Sequence, residues 1–270
     1  MLQDGICTLH ARGGPSAKPA MCRRFPFELV GTPQGGRVTT SHRCPCRTLG
    51  NRPLLAVAEA EASLSAGAGR LRAIQMVRAR LPLSARTSAS FDTYVALESP
   101  ILEKLGQGEP PYEALGVTQG LPRLRVGSWM DAASTYLRMG SEPSRAGHAL
   151  KWFGIGLLDA LGAAPAASHP RPWRDVFDKA EADSAREQAA LVIGDYLADE
   201  LWGLLWLQRG AFDKARSVTG ALGCIASALA MRLVNEGARP DRAAAEAVLI
   251  VETGASQPVW RLIIDSAWPT

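Results

Sequence analysis

The chain has no Gly-x-Ser-x-Gly elbow, no Ser-x-x-Lys pair, no Cys-x-x-Cys and no Gly-Lys-Ser/Thr phosphate loop. Those absences remove the local signatures of serine hydrolases, thiol redox proteins and P-loop nucleotide binders. Histidine is scarce, four in 270 residues, and only His148 and His169 lie beyond residue 53. No uncharged apolar run reaches the roughly 18 residues of a membrane span; the longest candidate, 217–231, is closed at both ends by Arg216 and Arg232. The opening Met-Leu-Gln-Asp is not a basic segment followed by an apolar one, so no secretory signal is expected, and the chain reads as cytoplasmic. Five cysteines are an odd number, four of them before residue 47, and a disulfide framework is not expected.

What is present divides by charge. Residues 1–53 hold eight of the 30 Lys and Arg but only two of the 26 Asp and Glu, so the rest of the chain is close to neutral. This leader is rich in Gly, Pro, Ser, Thr and Arg, and no period runs through it. It therefore reads as a disordered basic arm able to meet phosphates without folding. Cys7, His10, Cys22, His42, Cys44 and Cys46 are zinc-type ligands there, but their spacings match no ribbon or finger, and no metal or other cofactor is assigned. Residues 54–84 read as a helical linker segment ended by Pro82, and residues 85–270 as an all-α helical domain.

Within 85–270 the apolar spacing is three and four. It predicts helices from Phe91 capped by Ser90, from Trp129 capped by Ser128, from about Ser144 to Leu161, and from Pro240 to Val251. The clearest pattern is a pair, 185–208 and 212–236, separated by little more than Arg209-Gly210-Ala211. Its arms carry the stripes Ala190, Ile193, Leu197, Leu201, Leu204, Leu205 and Ala215, Val218, Leu222, Ile225, Leu229, Leu233. The expected fold is all-α: an irregular helical bundle built around this long antiparallel hairpin, with a disordered leader.

The back faces of the hairpin hold the candidate sites. Asp195, Asp199, Trp202 and Trp206 lie opposite the first stripe; two large rings on a back face need a cover, from this chain or from a partner. Gly220, Cys224, Ser227 and Met231 lie opposite the second stripe and allow a neighbour to approach closely. Asp195 and Asp199, at i and i+4, share a face suited to a cation or an acid–base pair, but no acidic or Glu-x-x-His helix stands ready to complete a metal site. The first functional expectation is thus a non-enzymatic accessory or interaction protein, binding a protein partner or a second copy through Trp202, Trp206, Asp195 and Asp199. A second is a DNA-binding regulator: 128–152 has the helix, Gly-centred turn and second helix of a helix-turn-helix unit, though only loosely its spacing, with Arg145, His148 and Lys151 on the second helix. A third is an enzyme with dispersed active-site residues.

Overall fold

A computed structural model of the chain describes residues 2–3, 6–7, 24–43, 45–48, 60–61, 64–65, 73–163, 169–179, 188–207 and 210–267. They fall into two compact units, one of residues 1–41 and 52–79, the other of 42–51 and 80–270. In the first, Leu2–Gln3 (β1) pairs with Ile6–Cys7 (β2). Phe27–Thr32 (β3) pairs antiparallel with Gly35–Thr40 (β4) through a two-residue turn. Gln75–Met76 (β5) adds in parallel on the other edge of β3. Leu29 packs with Ala60 and Leu64, and Phe27, Val38 and Ala73 close the small core.

The expectation of an all-α chain with a disordered leader is thereby corrected: part of the basic leader is a β-hairpin, and the fold is mostly helical with small sheets. The physical reason is local. Phe27, Val30 and Thr32 face Thr40, Arg37 and Gly35 across the ladder, and aromatic and β-branched residues suit that pleated surface. Thr32-Pro33-Gln34-Gly35 turns the chain, with Gly35 at φ 121°, a conformation that a side chain would strain.

The second unit opens with Pro45–Thr48 (α1) and a short antiparallel pair, Arg80–Pro82 (β6) with Ser88–Ser90 (β7). Helices follow: Phe91–Gly106 (α2), Pro111–Leu115 (α3), Trp129–Met139 (α4), Arg145–Ala160 (α5) and Arg174–Phe177 (α6). Ala189–Trp202 (α7), Phe212–Asn235 (α8), Pro240–Ala255 (α9) and Pro258–Ser266 (α10) complete the chain. Ser90, Ser128 and Ser144 each accept a backbone N–H from the first turn of their helix, satisfying a donor that would otherwise lack an intrahelical partner. Pro100 sits inside α2 without breaking it.

The centre of this unit is α9. Every residue from Asp241 to Val251 is buried, and the helix packs on α5, α7 and α8. Its alanines permit that approach from three sides. At Gly254 a Cβ would overlap the Phe153 ring. Phe153 belongs to an aromatic cluster with Tyr136 and Trp260, and the Tyr136 hydroxyl donates to the Gly254 carbonyl at 2.9 Å. The helix α8 is long and apolar enough to cross a membrane by composition, but 61% of its apolar window is buried inside the fold.

The hairpin needs a second correction. All six residues of the α8 stripe are buried. The first arm, however, ends at Trp202 rather than near Gln208, because Leu204 takes a left-handed φ of 56° that stops the helix. Trp202 and Trp206 therefore do not share one helical face. Ala190, expected inside, is exposed.

Candidate interaction site

The far face of α8 is packed closely in its first half and borders a groove in its second. Gly220 packs against Val117, and Gly223 against Leu197 and Pro111, so the small residues there do admit close neighbours. Toward the C-terminal end of this face Met231 and Val234 are exposed. Ser227, Ala230, Met231 and Val234, one stripe at helical spacing, open onto a groove of about 450 Å³. Its other wall is Ala189, Ala190 and Ile193 at the start of α7, with Pro110 and Pro111 at the α2–α3 turn. Met231 is 66% exposed and Val234 38%, so the groove joins a hollow to a projecting thioether. One lining residue is charged, Glu109, whose carboxylate lies 3.8 Å from Lys104.

The four residues expected to bind a partner lie elsewhere and are largely engaged within the chain. Arg47 of α1 bonds both Asp195 and Asp199, the latter at 2.7 Å, and His42 hydrogen-bonds the same Asp199 oxygen at 2.9 Å. Burial works against the Arg47 charge, but the hydrogen bond it donates to Asp195 and the charges of both carboxylates outweigh it and hold the guanidinium above its ordinary range. His42 is 3% exposed and meets the Tyr196 ring edge-on at 5.2 Å. Burial, with Glu200 and Glu252 nearby, pushes the Tyr196 phenol well up. Trp206 is only 9% exposed, and its indole N–H donates to Glu200 at 2.9 Å. Trp202 is half-buried. These rings and carboxylates form an internal polar seam, and the cover that the sequence asked for comes from the chain itself.

This seam joins α1 to α7 by charge. Replacing Arg47 with methionine removes the guanidinium that the two carboxylates at i and i+4 share. We expect a loss of about 1–3 kcal/mol, read by urea denaturation, because a charge-assisted pair is removed and like charges remain. An unchanged midpoint would show that α1 contributes nothing to α7.

The residues of the DNA-reading alternative all lie on α5, with different neighbours. Arg145 is exposed and bonds Asp175 at 3.1 and 3.2 Å. His148 and Lys151 instead line a small pocket with Trp152 and His169. Among the described residues no group of three His, Cys, Asp or Glu converges as a metal site would require. Of the cysteine and histidine set in the leader, His42 is committed to Asp199, while His10, Cys22 and Cys44 and the side chains of Cys7 and Cys46 lie outside the described residues.

Sequence reasoning missed the groove. The signal within reach was Met231-x-x-Val234, two large apolar residues on the α8 face that otherwise holds small ones. His42 and Arg47 were missed because their partners lie about 150 residues away. No protein-family model matches this chain, and no curated protein and no solved structure matches it either.

Proposed function

We propose that the chain is a non-catalytic helical interaction protein that self-associates through the groove on α8. The observation that carries this reading is the exposed pair Met231 and Val234 at the rim of a 450 Å³ apolar hollow that Ser227 and Ala230 also line. Water is a poor cover for such a surface, and methionine adapts well to a facing one. Two features favour a second copy as the occupant. The projecting Met231 and the hollow lie on one face, so a two-fold axis places each Met231 in the other copy's groove, the self-complementary arrangement of an isologous dimer. The lining also carries a single charge, Glu109, so doubling the surface brings little like-charge repulsion.

Met231→Asp tests it. Burying a methionine side chain contributes about 1.5–3 kcal/mol, and each dimer buries two. The substitution should therefore weaken dimerisation by about two to four orders of magnitude while leaving helicity intact. Light scattering during size-exclusion chromatography reads this directly: wild type at twice the mass of one chain, the variant at one. Wild type eluting as a monomer throughout the micromolar range, or a variant that dimerises equally well, removes the proposal.

A further inference from the structure

The turn between α4 and α5, the first turns of α5 and the segment His169-Pro170 enclose a pocket of about 150 Å³. Trp152 ties it together, its indole N–H donating to the Pro170 carbonyl at 2.9 Å. What distinguishes this pocket is that its polar side chains are not used up. Most arginines of this unit that approach a carboxylate are engaged: Arg47, Arg145, Arg171, Arg216 and Arg232 all have one within 3.2 Å. Lys151, His148, His169 and Ser141, by contrast, have no side-chain hydrogen bond or ion pair among the described residues, and all four line the pocket.

We propose that this pocket binds a phosphate-class oxyanion, the terminal phosphate of a small solute, with Lys151 as its fixed charge and His148, His169 and Ser141 as donors. Lysine binds phosphate as a point charge, and a tetrahedral dianion accepts donors arriving from several sides, as a planar carboxylate does not. A cation is disfavoured by Lys151 and by the further positive charge of Arg232. Their effect is visible at His169, whose imidazole is held below its ordinary value of 6.5 by burial first, then by Lys151 and Arg232. Arg232 of α8 is itself bonded to Asp159 at 2.6 and 2.9 Å, and Glu142 is the one acidic residue in the lining. His148 is the other titratable neighbour.

A dianion reverses this balance. With the anion bound, protonated imidazole becomes the favoured form, so binding takes up a proton and tightens as pH falls through the histidine range. A duplex backbone offers the same phosphate chemistry. The one lysine in the lining and the recessed pocket favour a terminal phosphate, since duplex binding rests on several cations at once.

Isothermal titration of the full chain with inorganic sulfate, whose charge is constant between about pH 6 and about pH 8, separates protein protonation from that of the ligand. Inorganic phosphate and a short duplex form the other arms. Expected are saturable binding of both free anions, tighter sulfate binding at the lower pH, and roughly tenfold or greater weakening by Lys151→Met and by His169→Gln. Lys151→Arg should retain binding. His169→Gln lies outside the helices, so it carries the test if Lys151→Met loses its circular dichroism signal. Non-saturable heats, or anion affinity unchanged by both substitutions, overturn the proposal. A duplex bound through Lys151 and His169 with no binding of free anion overturns it in favour of a nucleic-acid phosphate.

Discussion

Arg171→Met should destabilise the helical unit by about 3–5 kcal/mol, the cost of leaving a buried charge without its partner. Glu246 stands in the middle of α9 and is fully buried. Arg171 donates to one of its carboxylate oxygens from Nε at 2.9 Å and Nη2 at 2.6 Å, and the Trp173 backbone N–H reaches the other at 3.0 Å. A fourth bond runs from Arg171 to Asp178 at 3.0 Å. The segment 171–178 is thus fastened to the central helix through one carboxylate. Burial pushes the Glu246 carboxyl above its ordinary 4.5, and Arg171 holds it back only in part.

The sign of the pH dependence follows. A carboxyl raised in the folded state binds more protons there than in the unfolded chain, so stability falls as pH rises from 4.5 through the folded value. Without Arg171 that folded value climbs further, and the loss extends toward neutral pH. Urea denaturation across this range should show the variant closest to wild type in acid and furthest from it near neutrality. Arg171→Met combined with Glu246→Gln should recover most of the loss, because the amide oxygen still accepts from Trp173 and no charge is buried. A variant equally unstable at every pH, with no recovery in the pair, would place the effect in lost packing alone.

Gly194→Leu should cost about 3 kcal/mol or more, and even Gly194→Ala should destabilise. A glycine inside a helix normally gains up to about 1 kcal/mol when replaced by alanine. Here a Cβ would overlap the backbone carbonyl oxygen of Leu105, which cannot swing aside as a side chain can. Overpacking of that kind costs about 1–3 kcal/mol for small additions and more for a full leucine. Gly106, at the end of the facing helix α2, is the matching control. Apart from its chain neighbours and its own helix backbone, nothing lies within 4 Å of a Cβ placed there. Gly106→Ala should therefore be neutral or stabilising, by up to about 1 kcal/mol. Thermal melts of the two alanine variants should move in opposite directions, and a rise for both would mean that α2 and α7 are not packed this closely.

Much of the helical unit was legible because its signals are local. The serine caps at 90, 128 and 144 and the α8 stripe depend on neighbours within a few residues, and the structure keeps them. The end of α7 was not legible: nothing in Trp202-Gly203-Leu204 requires a buried leucine to adopt a left-handed backbone, which its surroundings impose. The strands of residues 27–40 escaped for a different reason. Composition over 53 residues averages out a local hairpin signal, two six-residue strands with Val and Thr on either side of Pro33-Gln34.

The sites were least legible. Asp195 and Asp199 were visible as a shared face, but whether such a face is open, metal-bound or neutralised depends on a cation from residue 47. The groove depends on where the cover of α8 stops, which is set by the α2–α3 turn and by the start of α7 rather than by α8 itself. Periodicity identifies the face that can be buried. It does not identify what buries it.

The most direct test of self-association is a nuclear Overhauser measurement on a mixed sample, one copy isotope-labelled and the other not, so that only contacts between copies are seen. If the α8 groove holds a second copy, the Met231 methyl should show contacts between copies to Ile193 and Ala190, lost on dilution. No contact between copies in a concentrated sample, or contacts confined to another surface such as the exposed Leu262 of α10, would contradict it.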